Sequence, residues 1–248
     1  MQLCLESVAQ QACRPYEVII ADDGSADETA QVVREFEKST TMCVKHVWHP
    51  DEGFRLGAIR NKAIAAAKGD YIVQIDGDIL LHPKFICDHA AFAKPGCFVG
   101  GSRVLIGEAL TEKIFASGQW AITFLTPGIH NRKNAMRLPF MAHVIEPLFV
   151  NKMHYRGCNM AFWREDLDKV NGYDEAFSGW GCEDHDLVAR LINVGGNFMP
   201  LRYAAVCYHL WHASSKNDEL FERNNRMLEQ TRNSGRSWCE QGLNKYAK

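Results

Sequence analysis

The sequence predicts an α/β fold, a mainly parallel mixed sheet flanked by helices. Two observations carry that prediction. Short apolar, β-branched runs alternate with helix-patterned stretches through the first two-fifths of the chain, and three of the acid- and glycine-rich turns that punctuate it directly follow or open such elements. With 248 residues, 46% of them hydrophobic and 23% charged, the chain can bury a sizeable core without staples, and disordered or coiled-coil classes are excluded. A net charge of −2 offers no bulk attraction for nucleic acid, so no nucleic-acid partner is expected. The most apolar run, Tyr71 to Leu81, is cut by two aspartates and cannot span a bilayer.

Residues 3–11 place Leu3, Val8 and Gln11 at helical spacing. Tyr16 to Ala21 reads as a buried strand. Ser25-Ala26-Asp27-Glu28 has the form of a capping box, and Val32, Val33 and Phe36 give the helix after it an apolar face. Val44 to Trp48 is a second strand. Arg55 to Lys68 is a helix with Leu56, Ile59, Ala63 and Ile64 on one side, and Asp70 to Ile75 is a third strand. Such alternation predicts crossover connections between parallel strands. Residues 107–155, with Pro127, Pro139, Pro147 and a polar cluster at Asn131, read as an irregular surface or substrate-facing segment. Regular patterning returns at Arg156 to Trp163, followed by a helix over 184–194 and a strand over 203–209. The stretch after Lys216 is a polar tail, helical or partly disordered.

Nine cysteines include no C-x-x-C pair, which argues against structural zinc. Their odd number, and an opening segment without the basic-then-apolar order of an export signal, predict reduced thiols in a cytoplasmic protein. Most are expected to be small buried apolar residues.

Five clusters carry candidate chemistry. Asp22-Asp23-Gly24-Ser25 follows the first strand, where open α/β sheets bind ligands; a carboxylate there can accept a ring N–H such as that of uracil, and a plain turn explains it about as well. Asp76-Gly77-Asp78 leaves the third strand, so two carboxylates can converge on one hard cation that neutralises a diphosphate. Gly53-Phe54-Arg55 opens a helix that favours anions, with Arg60 further along; a solvated helix face explains Arg60 about as well. In Gly179-Trp180-Gly181-Cys182-Glu183-Asp184 an aromatic stands beside a carboxylate pair, a sugar platform with a general base; ordinary dipole partners at a helix start are the alternative. His209-Leu210-Trp211-His212 can supply a nitrogen ligand to a cation at Asp78.

Together these segments resemble a family-2 glycosyltransferase of the GT-A fold over about Leu3 to His212. SVAQQACRPYEVIIADDGSADET resembles the nucleotide-binding segment, QIDGD the D-x-D motif, and RGCNMAFWRED to GWGCEDHDL the acceptor segment of chondroitin polymerases and β-1,4-galactosyltransferases. The resemblance implies one catalytic domain over 1–215, with a nucleotide-binding part (1–105), an acceptor part (106–215) and a polar helical tail (216–248). Asp23 would hold the uracil, Arg55 the diphosphate, with Arg60 a further donor-binding residue, and Asp76 the ribose or a metal-bound water. Asn159 would line the donor-sugar pocket, and Asp78 with His209 and His212 would hold Mn2+ or Mg2+. Trp180 would border the acceptor, Glu183 would hold its hydroxyls, and Asp184 would be the base of an inverting transfer from a nucleotide-sugar donor, UDP-linked by resemblance. The acceptor would be a saccharide or a lipid-linked saccharide, the latter bringing peripheral contact with a membrane. Relative to that family the chain starts inside the helix expected after a first apolar strand, so the fold is expected to lack that strand. This leaves a second reading, a non-catalytic sugar-nucleotide-binding remnant. A third, a nucleotidyltransferase, would not need the Trp180 platform.

Overall fold

The computed structural model describes residues 1–142, 144, 155–213 and 218–246. In chain order the elements begin with α1 (Gln2–Ala9), β1 (Glu17–Asp22), α2 (Asp27–Ser39), β2 (Cys43–Trp48) and α3 (Leu56–Ala66). There follow β3 (Tyr71–Ile75), β4 (Ile79–Leu81), α4 (Phe85–Ala91), β5 (Cys97–Gly101), β6 (Arg103–Ile106), α5 (Glu108–Ser117) and β7 (Ile129–His130). The last are β8 (Asn159–Trp163), α6 (Arg164–Lys169), α7 (Glu183–Asn193), β9 (Asn197–Leu201), β10 (Cys207–His209) and α8 (Asp218–Ser234). They form two compact units interleaved in sequence. The first comprises Met1–Arg14, Val73–Ala161 and Phe198–Ser214; the second comprises Pro15–Ile72, Phe162–Asn197 and Ser215–Lys248.

In the second unit β1 and β2 run parallel, with Val18 opposite Val44 and Asp22 opposite Trp48, joined through α2. Among the described residues β1 has β2 as its one ladder partner, and only Ile20 and Asp22 of the strand are fully buried. The expectation of a wholly buried strand is corrected accordingly: with a single ladder partner, Val18 and Ile19 stay partly accessible. The predicted capping box also fails. Ser25 belongs to the preceding turn, donating its N–H to Asp22 Oδ1 (2.9 Å), and α2 starts two residues later with Ala26 as an N-cap that makes no side-chain bond. Asp27 and Glu28 still sit in the first turn, where the helix dipole favours them. α3 buries Ile59 and Ile64 as its spacing predicts. The segment after residue 216, expected as a tail, is a 17-residue helix, α8, that buries Asn224, Leu228 and Thr231.

In the first unit one sheet has the order β4–β10–β6–β7. β10 lies parallel to β6 and antiparallel to β4, and β7 lies antiparallel to β6. One face packs Leu80, Val104, Ile106, Ile129 and Tyr208 with Ile114 of α5. The sheet containing β10 is thus mixed. β5 of this unit belongs to a sheet of order β3–β8–β5–β9, with Val99 opposite Ala161 in an antiparallel pair. α5 lies inside the stretch expected to be irregular. It buries only Thr111 and Ile114 and ends at Gly118 with φ +64°, so its apolar signal is too thin to stand out from the prolines around it. Pro147 and the rest of that stretch over 145–154 lie outside the described residues.

The structure corrects the expectation of reduced thiols at one pair: Cys13 and Cys87 form a disulfide, 74 residues apart in sequence. The chain leaving α1 is tied to the start of α4. Gln11 Nε2 donates to His82 O (3.0 Å), Ala12 N–H to Pro83 O (2.9 Å), and Ile86 N–H to Gln11 Oε1 (3.0 Å). No spacing in the sequence announces that meeting. Of the seven free cysteines, six are buried. Burial pushes the Cys4 thiol up to about 12 and those of Cys158 and Cys239 up to about 11, so they pack as inert small groups.

Candidate functional site

Within the first unit, three side chains converge on one point. Asp78 stands immediately before β4. Because β4 pairs antiparallel with β10, Ile79 lies opposite His209, and Leu210 N–H donates to Asp78 O (3.0 Å). That ladder puts His209 Nε2 3.4 Å from Asp78 Oδ2, and His212, three residues on, brings its Nε2 to 3.2 Å. The three candidate ligand atoms all lie within 4.8 Å of one another. Asp78 Oδ1 is buried and accepts no protein hydrogen bond among the described residues. Burial is the largest influence on His209 and holds its pKa below the ordinary value against the opposing pull of Asp78, which keeps the imidazole in its neutral, ligating form. One carboxylate and two imidazoles fit a divalent transition ion such as Mn2+ better than Mg2+, which prefers an all-oxygen shell. Asp76 is not one of the three; its carbonyl accepts Ile79 N–H (3.3 Å) and the Cys4 thiol (3.6 Å).

Asn159 is fully buried in the first unit. Its Nδ2 donates to Ser102 O and Ala205 O (both 3.0 Å), and its Oδ1 faces His89 Nε2 (3.0 Å). The side chain occupies the place where a Cβ on Gly101 would stand, so that glycine is required. As placed, Asn159 holds two backbone carbonyls in the core. Its partners are Ser102 just after β5, Ala205 just before β10 and His89 on α4, segments far apart in sequence.

The second unit holds the acidic pair. Gly181 and Cys182 both have positive φ, +101° and +73°, and they turn the chain so that α7 starts at Glu183. Arg60, from α3, reaches both acids. Its Nη1 lies 2.7 Å from Asp184 Oδ1 and 3.2 Å from Glu183 Oε1, and its guanidinium lies 5.2 Å from the Tyr173 ring centroid. Tyr173 OH donates to the same Asp184 oxygen (3.1 Å). Two carboxylates against one guanidinium leave a net negative charge, with Asp184 still 17% exposed at its side chain. Arg60, expected as a donor-binding residue, is buried against the two acids, five residues along the helix from Arg55 and on a different face. Arg55 is an N-cap whose guanidinium contacts Glu52 (2.7 Å) and Pro50 O (2.9 Å).

Trp180 is 44% exposed, and its ring stacks on Phe221 of α8, centroids 5.8 Å apart and 29° from parallel. The glycines on either side are needed for this packing. A Cβ on Gly179 would come 2.7 Å from Leu220, and one on Gly181 3.0 Å from Phe221. Asp22 and Asp23 separate in role. Burial opposes ionisation of Asp22, yet hydrogen bonds from Ser25 and His46 outweigh it and hold the carboxyl below the ordinary aspartate value. Asp22 is therefore the turn residue. Asp23 accepts Arg55 N–H at Oδ2 (2.8 Å) and meets His49 Nε2 at Oδ1 (2.5 Å). Tyr173, His49 and Phe221 escaped sequence reading because each is a lone residue outside any spaced motif.

No helix among the described residues is long and apolar enough to cross a membrane. The family profile described as Glycosyl transferase family 2 matches residues 1–170, and one described as the N-terminal domain of galactosyltransferase matches residues 148–213. A chondroitin synthase of Escherichia coli is 30% identical over 216 residues, covering 81% of this chain and 31% of its own length. The structure of GalNAc-T7 with UDP, GalNAc and Mn2+ superposes with a TM-score of 0.59 at 15% identity, over 87% of this chain and 42% of the other. S. aureus TarS 1-349 in complex with UDP-GlcNAc gives 0.58 at 17% identity, over 90% and 60%. The chain thus spans about a third of the chondroitin synthase it matches. Its fold is the α/β GT-A fold of glycosyltransferase structures. On the profile match across most of its length, the chain belongs to glycosyl transferase family 2.

Proposed function

We propose that the chain transfers a sugar, with inversion, from a UDP-linked donor to a saccharide acceptor, free or lipid-linked. The observation that carries this reading is the convergence of His209 and His212 on Asp78 Oδ2, the three candidate ligand atoms lying within 4.8 Å of one another. A divalent cation held by these three would neutralise the charge that develops on a departing diphosphate. The Mn2+ and UDP in the GalNAc-T7 structure support the same assignment.

Asp184 is the base in this reading. Its carboxylate removes the proton of an acceptor hydroxyl as that oxygen attacks the anomeric carbon from the face opposite the diphosphate. Arg60 and Tyr173 OH fix one Asp184 oxygen, which orients the carboxylate and presents the other. Glu183 shares Arg60 and holds acceptor hydroxyls, and Trp180 offers its ring face to the acceptor. Asp23 accepts the uracil ring N–H, Asp76 meets the ribose, and the Arg55 guanidinium turns from Glu52 to the donor phosphates. Asn159 supports the donor pocket by holding the Ser102 and Ala205 carbonyls.

A screen of nucleotide sugars for hydrolysis with and without Mn2+ tests this. The expected result is Mn2+-dependent release of UDP from one UDP-sugar. Binding of UDP-sugars without any turnover, with or without saccharide acceptors, would mark a binding module instead, and pyrophosphate release would mark a nucleotidyltransferase.

A further inference from the structure

His49 is buried in the second unit, its side chain 3% exposed, between two charged groups. Its Nε2 lies 2.5 Å from Asp23 Oδ1, and its Nδ1 lies 3.1 Å from Lys62 Nζ on α3. An ammonium has protons to donate and no lone pair to accept with, so Nδ1 must be the acceptor in the second contact. That fixes a neutral imidazole with its proton on Nε2, directed at the carboxylate. The Lys62 ammonium also lies 5.7 Å from the Tyr246 ring centroid, a second contact that holds it in place. Asp23 Oδ2 accepts Arg55 N–H, so the carboxylate is pinned at both oxygens, and each oxygen keeps a further lone pair. Its side chain remains 19% exposed.

The geometry points to His49 and Lys62 as positioning residues for base recognition: a chain of hydrogen bonds from Lys62 through His49 sets the plane in which Asp23 accepts the ring N–H of the donor base. This rests on the proposed role of Asp23. The Lys62 ammonium faces Asp23 across the His49 ring, so no cation covers the accepting face of the carboxylate. Uracil carries a proton at N3 and cytosine a lone pair, so a carboxylate held in that plane accepts from the first and repels the second. Without the chain, Asp23 is held at Oδ2 by Arg55 N–H while Oδ1 loses its partner, its plane is no longer fixed and the distinction fades.

The test is calorimetric titration of the whole protein with UDP and with CDP, each with Mn2+, in the wild type and in Lys62→Met, Lys62→Arg and His49→Ala. The wild type should prefer UDP. Lys62→Met and His49→Ala should each weaken UDP by about tenfold, the worth of one charge-assisted hydrogen bond, and leave CDP unchanged, while Lys62→Arg keeps most of the preference. Equal loss of both nucleotides would mark a merely structural role, and an intact preference in Lys62→Met would overturn the proposal. Lys62 is only partly buried, so that variant folds even where His49→Ala does not. A wild type without preference would instead remove the uracil role of Asp23, and this proposal with it.

Discussion

His89→Gln should flatten the acid sensitivity of the fold. His89 is 1% exposed, and burial, partly offset by Asn159 and Asp88, pulls its pKa from 6.5 down to about 4. Its Nε2–H is the donor to Asn159 Oδ1, since the Asn159 amide N–H groups are directed at carbonyls, and its Nδ1 has no hydrogen-bond partner among the described residues. The sign follows from proton binding. Between pH 6.5 and 4 the unfolded chain takes up a proton that the folded one refuses, so the stability is fully present above the unfolded pKa and is lost as pH falls. The loss is about 2 kcal/mol by pH 5 and about 3 kcal/mol below pH 4. Urea unfolding at pH 7 and pH 5 measures it. Asp22 and Glu17, whose pKa values are lowered, lose stability in acid in both proteins, so the difference between wild type and variant isolates His89. The glutamine keeps an N–H for Asn159 and does not titrate, and the pH 7-to-5 loss should shrink by about 2 kcal/mol. Parallel pH dependences in the two proteins would refute the argument that His89 is folded in its neutral form.

Three further outcomes are expected. Arg60→Met leaves Glu183 and Asp184 without their shared cation and should lower kcat for transfer at least 100-fold, with UDP affinity little changed by calorimetry. Phe221→Ala and Trp180→Ala should each raise the acceptor KM several-fold and leave the donor KM unchanged, because the two rings form one stacked pair. Reduction, or Cys13→Ser, opens a 74-residue loop and should cost up to about 4 kcal/mol in denaturant unfolding, an upper bound from loop closure.

The α/β alternation was legible because buried faces impose a period: Ile59 and Ile64 on α3, Val33 and Phe36 on α2. Asp78, His209 and His212 could be named because each sits at a strand end or in a short spaced pair, and the β4–β10 ladder then brings them together. Arg60 sits with the two acids and Arg55 with Glu52 and Pro50, since proximity in sequence says nothing of the helix face each occupies. Asn159 looked like a pocket residue, yet its partners Ser102, Ala205 and His89 come from three distant segments. The Cys13–Cys87 pairing and the Phe221–Trp180 stack likewise depend on packing between segments that carry no shared spacing.

The central claim divides labour between a cation-binding trio and a base, and Asp78→Ala and Asp184→Asn separate them. Titrating each variant with UDP-sugar and Mn2+, alongside a transfer assay, should show Asp184→Asn binding donor as the wild type does with transfer abolished, and Asp78→Ala losing the Mn2+-dependent part of donor affinity. Equal loss of donor binding in both variants would contradict it.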